Sequence, residues 1–224
     1  SGAIRTQSLV KRYYDLCYDN QMFDSIKFAW LGDGGSKFRT SGINTFFTKI
    51  YSMLGGNDAA QISSTNQPYL SGNIAPNEKY ALKNPNGGDN FMTHPTISFA
   101  ANESWSVTTV LDFNGKAIPH EYYAGPVGAL SGGVALGGNG GRNLHFSNSI
   151  KSLIGISTIP FVGKKIIVTH SADGLGMLKM YVNGINVNSF TGENTNTLFQ
   201  ELGDIIKGEY GYKGTIKSHI IRSQ

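Results

Sequence analysis

The 224 residues carry 19 Lys and Arg against 15 Asp and Glu, a formal net charge of +4, with only 15% charged side chains, 29 glycines and one cysteine. The basic residues are scattered, at Lys11-Arg12, Lys37, Lys79, Lys83, Lys164-Lys165 and Lys213, which argues against a nucleic-acid surface, where such residues cluster. A lone Cys17 excludes an intrachain disulfide and any Cys-x-x-Cys metal or redox motif, and no apolar run approaches the length of a transmembrane helix.

Low charge with abundant Gly, Asn and Ser predicts turns and packed strands rather than disorder. The first element differs. In "SLVKRYYDLCY", residues 8–18, Leu9, Tyr13, Leu16 and Cys17 recur at helical spacing behind a possible Ser8 cap. A second, short helical piece is expected from Met22 to Ala29, before the glycine loop "LGDGGS". The segment lacks the Gly-Lys-Ser/Thr ending of a phosphate-binding loop. From Ile43 the residues favour strands. The stretch "KIYSMLGGNDAAQISSTNQPYL" reads as a strand ending near Tyr51, a turn at Gly55 to Asp58, and a return to a strand at Tyr69-Leu70. Prolines 68, 76, 85 and 95 then cut the chain into short pieces, with a turn at "NPNGGDN".

Strands are predicted at "TISFAA" (96–101) and "SWSVTTVLDF" (104–113), the latter with Trp105, Val107, Thr109 and Leu111 on one face. The Gly-rich run 115–141 predicts two short strands, 127–130 and 134–136, followed by 143–149 and 152–158. In 163–174, Ile166, Val168 and His170 alternate against Lys165, Ile167 and Thr169. "MLKMYVNGINVNSF" places Asn183-Gly184 between alternating apolar residues, the signature of a two-residue type I′ hairpin, because both central residues need positive φ. A final strand would put Ile216, Ile220 and Arg222 opposite Thr215, His219 and Ile221. Many short strands with glycine turns predict an all-β, antiparallel two-sheet jelly-roll sandwich. Residues 1–40 are expected to form a helical lead or attachment segment and 41–224 the sandwich.

Three segments, Ser104–Phe113, Lys164–Phe190 with its Asp173-Gly174 turn and Tyr-Val-Asn-Gly ending at Gly184, and Tyr212–Ser223, resemble the concanavalin A-like lectin/glucanase superfamily in its laminin G-like form. The Lys49–Leu70 stretch is similar to a segment preceding such domains in arabinofuranosidase B-type catalytic domains and bacteriophage tail proteins. The resemblance covers roughly residues 43–222. It implies two curved sheets that bind sugars or protein partners on a concave face or its rim loops.

The glucanase members carry Glu-x-Asp-x-x-Glu on one strand, and this motif is absent here. The nine Asp and six Glu are scattered, and Glu103 and Asp112 flank the Trp105 strand about 30 Å apart at strand rise. Neither a His-Glu-x-x-His zinc motif nor a Gly-x-Ser-x-Gly elbow occurs. The five histidines read as surface or half-buried strand residues. For sugar binding, two loops combine aromatic and hydrogen-bonding side chains: His120, Tyr122 and Tyr123 in "IPHEYYAG", and Asn139, Arg142 and Asn143 in "GGNGGRN". No cofactor is expected unless calcium binds at Asp89 or Asp173, each beside turn-forming residues.

The expected function is a non-catalytic virion structural protein, in a tail, fibre or capsid-decoration role. Such a protein would be made in the host cytoplasm, assemble as a homo-oligomer or symmetric array with other virion proteins, and attach to host-surface glycans. Nucleic acid and membrane insertion are not expected. The alternatives are a glycoside hydrolase or carbohydrate-binding module, and a purely structural subunit without a glycan site.

Overall fold

The computed structural model describes residues 9–32, 35–54, 56–70, 82–83, 91–112, 120–125, 134–139, 143–148, 152–157, 161, 163–191, 196–202 and 215–224. The chain opens with α1 (Leu9–Asp19), a 3-10 turn (Phe23–Ser25), β1 (Ile26–Trp30), β2 (Ser36–Ser41), β3 (Asn44–Ile50), β4 (Ala59–Ala60), β5 (Tyr69–Leu70) and β6 (Leu82–Lys83). It continues with β7 (Met92–Phe99), β8 (Trp105–Asp112), β9 (His120–Gly125), β10 (Val134–Asn139), β11 (Asn143–Asn148) and β12 (Ser152–Ser157). The last strands are β13 (Lys165–Ala172), β14 (Met177–Val182), β15 (Ile185–Thr191), β16 (Thr197–Leu202) and β17 (Thr215–Ser223).

These strands form two antiparallel sheets of a jelly-roll sandwich. The front sheet runs β15-β14-β13-β8-β17-β1. The back sheet runs β2-β3-β4-β7-β16-β9-β10-β11-β12. The short β5 and β6 bridge the two, because β6 pairs with β17 while β5 pairs with β3. Among the described residues no helix is long and apolar enough to cross a membrane.

Alternation places the core. Trp105, Val107, Thr109 and Leu111 all turn inward, as do Ile166, Val168 and His170. Across the sandwich, Trp105 of the front sheet meets Phe199 and Phe99 of the back sheet at ring separations of 5.3 and 6.2 Å, and Trp30 meets Phe47 at 5.8 Å. Aromatic pairs at these separations add attraction beyond the area they bury. The Asn183-Gly184 turn has φ of 50° and 81°, the two positive values of a type I′ hairpin.

Three expectations are corrected. Met22–Ala29 is not helical: only Phe23–Ser25 coils, and Ile26–Trp30 pairs antiparallel with β17. This strand is apolar on both faces. Phe28 and Trp30 enter the main core, while Ile26 and Ala29 join Cys17 in a second cluster under α1. In β17, Ile216 shares the inner face with His219 and Ile221, while Ile220 and Arg222 point outward. A bulge between Ile216 and Ser218 shifts the alternation by one residue. Finally, His94, His170 and His219 are fully buried rather than surface or half-buried, at 3%, 0% and 0% exposure.

α1 lies on the outer surface of the front sheet at the β1 end. Tyr13 and Cys17 face Ile26, Ala29 and Ile220, and Leu16, expected on the apolar stripe, is exposed. The helix stops in a Schellman arrangement: Met22 N–H donates to the Cys17 carbonyl, Gln21 N–H donates to that of Tyr18, and Gln21 takes φ 53°. The boundary expected at residue 40 falls within β2.

Candidate functional site

The outward positions of four adjacent front-sheet strands meet in a groove of 380 Å³. β8 supplies Ser106 and Thr108, β13 Thr169 and Ser171, β14 Met177, Lys179 and Tyr181, and β17 Arg222, with Asp173 and Gln224 at one end. Register explains their convergence. Ser171 is the pairing partner of both Lys179 and Ser106, and Ser106 of Arg222, so Lys179–Ser171–Ser106–Arg222 forms one row across the sheet. Tyr181–Thr169–Thr108–Ile220 forms the next. Paired residues point to the same face.

The floor is made of hydroxyls. Thr108 Oγ1 and Thr169 Oγ1 share a hydrogen bond of 2.9 Å, and the Ser106 hydroxyl accepts from Arg222 Nε at 3.0 Å. Arg222 also approaches Met22 Sδ at 4.0 Å, so this wall of the groove touches the cluster packed beneath α1. Lys179, Tyr181 and Arg222 are half-buried, and the hydrogen bond to Ser106 holds the Arg222 head at the floor. Half-buried Tyr181 stands at one end of the Thr169–Thr108 row.

Asp173 has a different task. Its Oδ1 accepts the backbone N–H groups of Leu175 at 2.7 Å and Met177 at 3.0 Å, closing the hairpin between β13 and β14. These two hydrogen bonds, the first above all, hold its carboxyl below the usual range, and Lys179 adds a smaller contribution in the same direction. Among the described residues, no three His, Cys, Asp or Glu side chains cluster as metal ligands.

No family model matches the sequence, and no curated protein does. Solved structures match in fold. An arabinofuranosidase complexed with arabinofuranosyl-alpha-1,2-xylobiose superposes with TM-score 0.67 at 12% identity, over 93% of this chain and 61% of that one. A GH54 α-L-arabinofuranosidase soaked with 4-nitrophenyl α-L-arabinofuranoside gives 0.59 at 12%, over 80% of this chain and 48% of that one. The binding domain of Paraclostridial Mosquitocidal Protein 1 gives 0.56 at 8%, over 90% and 49%. The chain thus spans less than two thirds of each, and at these identities the likeness is one of fold.

Five of the six residues expected to bind sugar lie on the back sheet, in strands rather than loops. His120, Tyr122 and Tyr123 belong to β9, Asn139 ends β10 and Asn143 begins β11. Pairing does bring some of them together: Asn139 is opposite His120 on one side and Asn143 on the other, while Tyr122 is opposite Gly137. Arg142 and the calcium candidate Asp89 lie outside the described residues. Glu103, at one end of the Trp105 strand, accepts the Ala100 N–H at 2.7 Å and closes the preceding turn.

The Lys49–Leu70 stretch is an internal clamp. Asn57 Nδ2 donates to the Lys27 carbonyl at 2.7 Å, while Asp58 accepts from the Ser52 N–H at 3.0 Å and pairs with Lys49 Nζ at 2.9 Å. Buried Gln61 and Gln67 serve backbone groups of Phe91 and Gln61, and Arg39 donates to the Gln67 side chain. These polar side chains satisfy a loop that folds inward, where unpaired backbone groups are costly.

Proposed function

We propose that this chain is a glycan-binding domain without hydrolytic activity, and that the front-sheet groove is its site. The observation that carries this reading is the composition of the groove: four hydroxyl side chains in two register-aligned rows, with the half-buried Tyr181 beside them. Hydroxyls can donate and accept, matching the hydroxyls of a sugar, and a tyrosine ring packs against the C–H face of a pyranose. Glycoside cleavage by the usual route needs two carboxyl groups about 5–10 Å apart. Asp173 is the only carboxylate among the described residues lining the groove, and it is engaged in its own turn.

A shallow site of this kind gives weak single-site affinity. Display in many copies, as on a virion, would convert it to useful avidity, and the resemblance to phage tail proteins motivates that part of the proposal. The test is a glycan array probed with the protein tetramerised on streptavidin, followed by calorimetry on any hit. Binding to at least one glycan class, weakened about tenfold or more in Tyr181→Ala, is the expected result. Absence of binding at high valency refutes the reading.

A further inference from the structure

Arg222 is a half-buried cation whose partners are the Ser106 hydroxyl and the Met22 sulfur, and among the described residues no carboxylate pairs with it. A guanidinium withdrawn from water is ordinarily matched by an anion, often through two parallel hydrogen bonds. Its Nε is already spent on the floor at 3.0 Å, which fixes the plane of the group at the groove wall. Lys179 stands three strands away in the same row, about 14 Å between Cα atoms at ordinary strand spacing. The lining thus holds two cations and one anion, and that anion, Asp173, lies at the Lys179 side of the groove. Among the described residues, no anion compensates the Arg222 side.

We infer that the groove selects saccharides carrying an anionic substituent, a carboxylate or a sulfate ester, with that substituent seated against Arg222 and the neutral hydroxyls of the sugar along Ser106, Thr108, Thr169 and Ser171. This rests on the glycan-binding reading and adds its direction: the anion binds at the α1 side, and Lys179 with Asp173 meets hydroxyls at the far side. Asn186 and Ser189 of β15, the register partners of Tyr181 and Lys179, extend the polar surface for a further sugar unit.

The experiment compares a uronic-acid oligosaccharide, its carboxyl-reduced neutral counterpart and a sulfated neutral counterpart by calorimetry, at low salt and at 0.5 M NaCl. Expected is at least about tenfold tighter binding of one or both anionic forms than of the neutral one. The preference should shrink at high salt, disappear in Arg222→Gln, and persist in part in Arg222→Lys. Which anionic form gains identifies the substituent. Equal binding of all three, or an undiminished preference in a folded Arg222→Gln, overturns the inference while leaving glycan binding intact if Tyr181→Ala weakens every ligand. Failure of all three to bind overturns this inference, and the array decides the broader reading separately. Since Arg222 also touches the seat of α1, the salt dependence of the unmutated protein provides a test that requires no variant.

Discussion

Acid should loosen this sandwich through His219. The imidazole is fully buried, with Nδ1 and Thr109 Oγ1 hydrogen-bonded at 2.7 Å and the Phe28 ring 6.0 Å away. Burial, reinforced by the nearby His94, pushes its pKa down from 6.5 to about 3. His94, stacked on Phe28 at 5.3 Å and hydrogen-bonded to the Pro95 carbonyl, is lowered by burial as well. A folded-state pKa below the unfolded value means that the unfolded chain takes up the proton first. The contribution is therefore complete above pH 6.5 and is lost as the pH falls toward 3. Between pH 7 and 4.5 the loss from His219 alone is about 2.5 kcal/mol, at 1.36 kcal/mol per pKa unit. That is a large part of the 5–15 kcal/mol typical of a folded domain. Urea titrations followed by the fluorescence of buried Trp30 and Trp105 would measure it. His219→Asn keeps a group near the Nδ1 position but does not titrate, so its stability should fall by about 2.5 kcal/mol less over the same interval, whatever its stability at neutral pH. Equal losses in the two proteins would show that His219 is not held neutral in the core.

Two further outcomes are expected. Gly174 adopts φ 74°, and a Cβ there would lie 2.5 Å from the Asn102 carbonyl oxygen, so Gly174→Ala should cost more than about 1 kcal/mol in a urea titration. Because the clash opens the hairpin that ends the groove, that variant should also weaken glycan binding. Cys17 is fully buried and its thiol is raised by that burial, so a thiol reagent should label the native protein far more slowly than the urea-unfolded chain.

Much of the fold is legible in the sequence, because β8, β13 and the Asn183-Gly184 hairpin each follow a period-2 pattern with one dry face. The phase of β17 is not, because a bulge at Lys217 leaves no mark in composition. Neither is the strand character of "IKFAW", whose near-continuous apolar run arises from burial on both sides, by the core and by α1. His94 shows the same limit in β7: Met92 and His94 turn inward, yet so do Ile97 and Phe99, since the register slips around Pro95 opposite β16. The groove is hidden from the sequence for a different reason. Ser106, Thr108, Thr169 and Ser171 each look like an ordinary wet position of a half-buried strand. Only the pairing of segments separated by some sixty residues and more assembles them. The available signal is the run of adjacent outer hydroxyl positions, Ser106 and Thr108 in one strand and Thr169 and Ser171 in another. Local composition is conspicuous instead in the aromatic, glycine-rich segments.

The placement of β17 governs how this molecule can be made. It lies between β8 and β1 in the front sheet, so Ile26 must wait for Arg222 before its edge is paired. Closing a loop of that length costs entropy before any contact repays it. Until residues 215–223 arrive, β1 and β8 present open edges, α1 lacks Ile220 beneath it, and the groove has no Arg222. A chain short of this segment would therefore have neither a finished front sheet nor the Arg222 wall of the groove.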